Sequence, residues 1–216
     1  MPINFVVSGI RLAAGALMIA VLTSCVTRSE YVNLTYPPIK QTEHRDKEPV
    51  DKALPPLRVG SLMINVADQR LNQARIGKIN GGLSGAFKTP ILTDDNVALW
   101  VHDAVVFELT AIGINTVIGG ESSNGEESVL NVALVELVSG CYALGCSAVL
   151  HLTTKLISPD GESRETSQTG REGSTGFGFS FLPYVERALS RSLREAIQLT
   201  ITELRLRPTK PSSASE

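Results

Sequence analysis

The sequence is poor in aromatic side chains and carries little net charge. Aromatic residues make up 5% of the 216-residue chain, so few rings are present on which the bases of a single strand could stack. Basic and acidic residues nearly balance, with a formal net charge of -2. This balance gives no broad attraction to nucleic acid or to anionic lipid. We therefore expect no nucleic-acid partner.

Motifs for common catalytic and cofactor chemistry are also missing. The three histidines are scattered along the chain, and no Gly-x-Ser-x-Gly nucleophile turn is present. Neither a phosphate-binding P-loop nor a dinucleotide fingerprint occurs in a strand–glycine–helix context. A lone pair of nearby cysteines without a histidine beside it is a weak metal signal. The sequence predicts a protein that is not an enzyme and that binds no cofactor or metal.

The strongest positive signal lies at the N-terminus. Arg11 precedes an apolar run over residues 12–22, which is typical of a signal peptide and too short to cross a bilayer. Residues 22–25 (Leu-Thr-Ser-Cys) resemble a bacterial lipobox, in which small residues admit the peptidase and the thiol accepts the lipid. We predict a lipoprotein signal peptide over residues 1–24 and lipidation of Cys25. The alternatives are an ordinary secretory signal and a short anchor helix that happens to contain a cysteine.

Lipidation would tie the protein to a membrane, because two or more acyl chains give stable attachment. Bacterial lipoproteins that this signal resembles carry a diacylglyceryl thioether and usually an amide-linked acyl chain. Val26 stands where an aspartate would signal inner-membrane retention in enterobacteria. By that resemblance we expect the outer membrane, with the protein facing the periplasm, while the inner membrane and the cell surface stay open as alternatives.

Two further segments have the composition of linkers. Residues 25–56 hold the lipidated cysteine followed by a proline-rich, charged stretch, which predicts a flexible tether with a span on the order of 30 Å. Residues 208–216 predict a disordered tail.

Residues 57–207 predict a single α+β domain with the order β-α-β-β-β-β-α. We expect a mostly antiparallel sheet of four to five strands, with two helices packed on one face. The expected strands share alternating or continuous Val, Leu and Thr patterns and cover residues 57–67, 114–118, 128–139, 146–158 and 162–171. The expected helices share an apolar stripe and occupy residues 97–112 and 183–205. Residues 68–93, rich in Gly and Asn, predict a long loop with room for a short strand at 82–88.

Two pairs of residues in this domain are candidate sites. Cys141 and Cys146 stand at the base of a predicted hairpin, and export to an oxidising compartment favours a disulfide over two buried free thiols. Asp68 and Arg70 directly follow the first predicted strand. They could bridge or hold backbone groups of the next loop, and a ligand site is the weaker interpretation.

The region around Asp68 and Arg70 also carries a family resemblance. The strand end at residues 66–70 (Val-Ala-Asp-Gln-Arg), the Ile76-Gly77 pair and the helix that follows resemble the YajG-like family of bacterial lipoproteins. The resemblance covers roughly residues 56–205 and brings no catalytic residues with it. The long linker and the Cys141/Cys146 pair depart from the family pattern.

Two hypotheses for function remain. The first is a membrane-anchored accessory protein that binds another envelope protein through a sheet edge or through the glycine-rich residues 173–181. The second is a carrier or sensor that holds a small apolar ligand, a lipid or a glycan fragment between helices and sheet, which requires a cavity of several hundred Å³. The oligomeric state cannot be inferred from the sequence.

Overall fold

A computed structural model describes residues 29–36, 61–81, 87–117, 127–142, 145–175 and 181–206. The predicted signal peptide, Cys25 and the C-terminal tail lie outside these residues. The strands are β1 Glu30–Tyr31, β2 Ser61–Asp68, β3 Arg75–Gly81, β4 Phe87–Leu92, β5 Asn115–Val117, β6 Ser128–Tyr142, β7 Gly145–Ile157 and β8 Ser163–Thr175. The helices are α1 Val97–Ala111 and α2 Leu182–Leu206.

The strands form one mixed sheet that is organised around β6. On one side, β6 pairs with β7, which pairs with β8 at the sheet edge, and both pairings are antiparallel. On the other side, the first half of β6 pairs with β2 and its last residues pair with β3, both parallel. Strand β5 extends the sheet beyond β2, and β4 and β1 extend it beyond β3. The predicted α+β class with two helices is confirmed, although the described residues place eight strands in the sheet and it is less antiparallel than expected.

A β-bulge at Val135 allows β6 to serve both halves of the sheet. The pairing register with β7 shifts between Leu134 and Glu136. Buried side chains fall on even positions up to Leu134 and on odd positions from Leu137 onward. Because a bulge inserts one residue, it reverses which side chains face the core. Both halves of the strand therefore direct apolar side chains to the same layer, and the partner strand changes close to the bulge.

Both helices cover one face of the sheet, as predicted. Helix α1 starts after Asn96, whose side chain accepts a hydrogen bond from Leu99 N at 3.1 Å. It ends in a Schellman motif, in which Gly113 has φ +82° and Ile114 N donates to Leu109 O. Gly113 therefore ends this helix.

Helix α2 crosses β8 at very short distance. A Cβ added to Gly170 would lie 1.8 Å from the carbonyl oxygen of Ser192. The Ser192 side chain also bridges two strands, since its hydroxyl donates to Ala148 O at 2.9 Å and accepts from Glu172 N at 3.0 Å. A residue without a side chain is therefore required at Gly170 for the helix to sit on the sheet.

The loop predicted over residues 68–93 is wrong for much of its length, because β3 and β4 lie within it as an antiparallel pair. The glycine content was misleading. A Cβ on Gly77 would lie 2.4 Å from the Ser139 carbonyl oxygen, and the Ser139 hydroxyl donates to Ile76 O at 2.9 Å. Gly77 therefore allows β3 to approach β6 closely and does not mark a loop.

The tether predicted over residues 25–56 is also wrong in part, because residues 29–36 belong to the folded domain. We call these residues the N-terminal segment. Strand β1 pairs in parallel with β4, and Val32, only 2% exposed, is part of the core. Val32 N donates to Leu92 O at 3.0 Å, and Leu34 N donates to the Asp95 carboxylate. The sequence of the N-terminal segment shows no periodic pattern of apolar residues. Its ordered conformation depends instead on contacts with residues that are distant in the chain.

Candidate functional site

The N-terminal segment ends in a polar cluster that joins it to both helices. The Tyr36 hydroxyl donates to Glu108 Oε1 at 2.7 Å, and Arg194 Nε donates to the same oxygen at 2.8 Å. Glu108 lies on α1 and Arg194 on α2, so one carboxylate links three parts of the chain. The ring of Tyr36 also makes an edge-to-face contact with Phe107, with centroids 5.8 Å apart. We call Tyr36, Glu108 and Arg194 the helix clamp.

The electrostatics of the helix clamp favour a neutral tyrosine between two charged partners. Burial raises the pKa of Tyr36, and the hydrogen bond to Glu108 raises it further. Burial alone would lower the pKa of Arg194, but Glu108 and Tyr36 together outweigh it and the pKa is raised. The Glu108 residue is only 8% exposed. A nearly buried carboxylate destabilises the fold unless it is paired. We therefore interpret the Glu108–Arg194 pair as part of the packing between the two helices.

Sequence reasoning did not identify the helix clamp, although one signal for it was present. Glu108 falls in the apolar stripe of α1, between buried Val105 and Leu109. A carboxylate at such a position requires a partner in the core. The identity of the partners could not be inferred, because Tyr36 and Arg194 lie 72 and 86 residues away in the chain.

The structure places Asp68 and Arg70 in contact, and the pair holds the loop that follows β2. Arg70 Nε and Nη2 donate to the two oxygens of Asp68 at 2.8 and 2.7 Å. Its guanidinium also donates to the carbonyl oxygens of Gln73 and Arg75, at 2.8 and 3.3 Å. The Arg70 side chain is 5% exposed and the Asp68 side chain is 9% exposed. The arrangement corresponds to the structural interpretation, in which the pair holds backbone groups between β2 and β3.

Cys141 and Cys146 form the predicted disulfide. The two residues face each other directly in the β6–β7 register, and both are buried. Because the closed loop is short, the entropic contribution to stability is about 2 kcal/mol. The bond fixes the end of the hairpin beside β3, where Ile79 pairs with Cys141.

The histidines of the described residues do not form a cluster. His102 lies 3.2 Å from the Asp103 carboxylate on α1. The two ring nitrogens of His151 contact the hydroxyls of Ser167 and Thr169 at 2.7 and 3.0 Å. Within the described part of the chain, no group of three His, Cys, Asp or Glu is placed to hold a metal ion. No helix there is long and apolar enough to cross a membrane.

The space between helices and sheet is small. Side chains such as Leu62, Leu109, Leu152 and Ile201 line a cavity of about 20 Å³, which is roughly the room for one water molecule. The hypothesis of an apolar-ligand carrier requires several hundred Å³. The described residues therefore give the carrier hypothesis no support.

The chain matches no family model and no curated protein. Among solved structures it is similar to a Xanthomonas campestris protein of the DUF330 family model, with 14% identity and a TM-score of 0.51, covering 82% of this chain and 94% of that one. A second structure, of an uncharacterized protein, has 9% identity and a TM-score of 0.53, covering 82% and 99%. The lipoprotein GNA1162 from Neisseria meningitidis has 13% identity and a TM-score of 0.35, covering 60% and 94%. At these identities the first two structures show a shared fold and carry no information on activity.

Proposed function

We propose that the protein is a bacterial cell-envelope lipoprotein with a non-enzymatic accessory role. The observation that carries the proposal is the apolar run that ends in the lipobox-like residues 22–25. Cleavage after Ser24 leaves Cys25 as the first residue of the mature chain, and its thiol carries the diacylglyceryl group. The absence of aspartate after Cys25 supports an outer-membrane location facing the periplasm. The residues quoted above support membership of the YajG-like family.

The accessory role consists of binding another envelope protein. Strand β8 supports it, because it borders the sheet and pairs within the described residues only with β7. Its exposed positions carry polar and charged side chains, among them Glu165, Ser167 and Arg171. Near its end the outer edge is already occupied, since Arg171 N donates to the Glu195 side chain of α2. A partner strand would therefore add along residues 163–169.

The lipidation is tested by labelling cells with radioactive palmitate. Wild type and the Cys141→Ser/Cys146→Ser double variant should both incorporate label and partition into detergent, because Cys25 is intact in each. Cys25→Ser should incorporate none and should keep residues 1–24. A Cys25→Ser chain that is cleaved and released like a secreted protein would mean that the signal is an ordinary one.

The binding role is tested by photo-crosslinking in intact cells. A crosslinking residue at Glu165 should give a discrete adduct with another envelope protein. The same residue at exposed Asp103, on α1, should give none. Equal adducts at both positions, or none at Glu165, would contradict binding at the β8 edge.

A further inference from the structure

The edge of the sheet that contains β1 is close in sequence to the proposed lipid anchor. Ser29 is the first described residue, and Cys25 precedes it by four positions. Four fully extended residues span at most about 14 Å. Glu30 and Tyr31 are held by pairing with β4, and Val32 N donates to Leu92 O. If Cys25 carries the lipid, as proposed above, this edge cannot move far from the bilayer surface.

The outer face of this edge is basic, as the strand register shows. In β4, positions 88, 90 and 92 point to one face because side chains alternate along a strand. Opposite or beside these positions lie Asn80, Lys78 and Arg75 of β3 and Tyr31 of β1. The intervening Ile91 is fully buried, so positions 88, 90 and 92 face away from the core. We call this surface the anchor face, and its side chains include Tyr31, Arg75, Lys78 and Lys88.

The last strand residues of β6 extend the anchor face. Lys78 pairs with Gly140 in parallel, so Tyr142, two residues further, points to the same side. Tyr31 is 52% and Tyr142 63% exposed. Neither β3 nor β4 contains an acidic residue, nor do residues 139–142 of β6. In β1, Glu30 pairs with buried Ile91 and therefore lies on the opposite face from Tyr31. Three cations and two tyrosines thus share a surface to which β1, β3, β4 and residues 139–142 contribute no acid, although the whole chain has a net charge of -2.

We propose that the anchor face lies on the membrane and binds the headgroups of anionic phospholipids. The proposal rests on the lipidation of Cys25. The short connection to the anchor brings this face to the bilayer, and its charge is complementary to anionic headgroups. Lysine and arginine direct their charged ends to phosphates, and tyrosine is common at the bilayer interface. Each basic side chain near such a surface strengthens binding on the order of fivefold.

The orientation is tested with the full lipidated protein in vesicles of phosphatidylcholine, with or without phosphatidylglycerol. Single thiols introduced by Asn33→Cys or Ser163→Cys receive a fluorophore, and lipids with a nitroxide headgroup quench it. Asn33 is exposed beside β1, whereas Ser163 is exposed at the start of β8, at the opposite border of the sheet. We expect the label at position 33 to be quenched about fivefold more strongly than the label at 163 on anionic vesicles.

Charge variants separate headgroup binding from the length of the anchor. The Arg75→Gln/Lys78→Gln/Lys88→Gln variant should reduce the contrast between the two labels to less than about twofold. The matched control replaces three exposed basic residues elsewhere, Lys155, Arg171 and Arg187, by Gln and should leave the contrast unchanged. Equal urea midpoints for both variants exclude a difference in folding.

Three results would overturn the proposal. They are equal quenching of both labels, an undiminished contrast in the anchor-face variant, and the same contrast on neutral and anionic vesicles. The intact mass of each sample reports the acyl chains on Cys25. Their absence would overturn the proposed lipidation and the orientation with it, whereas acylated protein with equal quenching would overturn the orientation alone.

Discussion

Removing the hydroxyl of Tyr36 tests whether the N-terminal segment is docked through the helix clamp. Tyr36→Phe deletes the 2.7 Å hydrogen bond to Glu108 and retains the ring contact with Phe107. A hydrogen bond to a charged group contributes about 1.5–3 kcal/mol. Glu108 keeps its bond to Arg194, so we expect the lower end of that range. With a urea m-value of about 2 kcal/mol/M, the midpoint should fall by roughly 0.7 M.

The assay is urea unfolding of the chain that begins at residue 26, which retains every described residue. The emission of Trp100 reports the transition, because it is the single tryptophan and is only 5% exposed. Tyr142→Phe is the matched control, since Tyr142 is 63% exposed, and its midpoint should barely change. If the urea midpoint of Tyr36→Phe falls no further than that of Tyr142→Phe, the N-terminal segment is not docked through the Tyr36 hydroxyl.

Three further predictions follow from the same packing. The pKa of Tyr36 is raised in the folded state. The stabilisation that Tyr36 gives the folded state is therefore complete below the unfolded pKa of about 10 and is lost as pH rises further. The stability difference between wild type and Tyr36→Phe should therefore narrow by up to about 0.8 kcal/mol at pH 10.5, and a constant difference would contradict this. Gly170→Ala should lower the free energy of unfolding by about 3 kcal/mol, because the added Cβ would clash with the α2 backbone. The control Gly173→Ala, in the same strand, should lower it by less than about 1 kcal/mol, because the nearest atom to its Cβ is 3.6 Å away. Equal losses in the two variants would refute the close crossing of α2 over β8. Asp68→Ala should lower the free energy of unfolding by about 3 kcal/mol, because it leaves the Arg70 guanidinium without its carboxylate partner. The control Asp103→Ala, at an exposed position, should lower it by less than about 0.5 kcal/mol. Urea unfolding measures both values, and equal losses would contradict the role of the Asp68–Arg70 pair.

The central strands could be predicted because their signals are local. Strands β6 and β7 contain long runs of Val and Leu, and the turn after β7 contains Gly161 at φ +84°, a conformation that favours glycine. The disulfide followed from cysteine count, compartment and hairpin geometry. Each of these features depends on neighbours in sequence, so the pattern alone indicates it.

The rest of the fold depends on distant contacts. Strand β1 has two residues and gains its order from β4, some sixty positions away. The glycine at position 77 resembles a loop signal and serves a close strand contact with Ser139. The helix clamp needs Tyr36, Glu108 and Arg194 to meet in three dimensions, and only the misplaced carboxylate indicated it. Tertiary context here overrides composition.

The most direct test of the lipoprotein assignment is the mass of the N-terminal peptide of protein extracted from membranes. We predict that this peptide begins at Cys25 and carries a diacylglyceryl group on sulfur, with or without an acyl chain on the amino group. An unmodified N-terminus, or a peptide that retains residues 1–24, would contradict it.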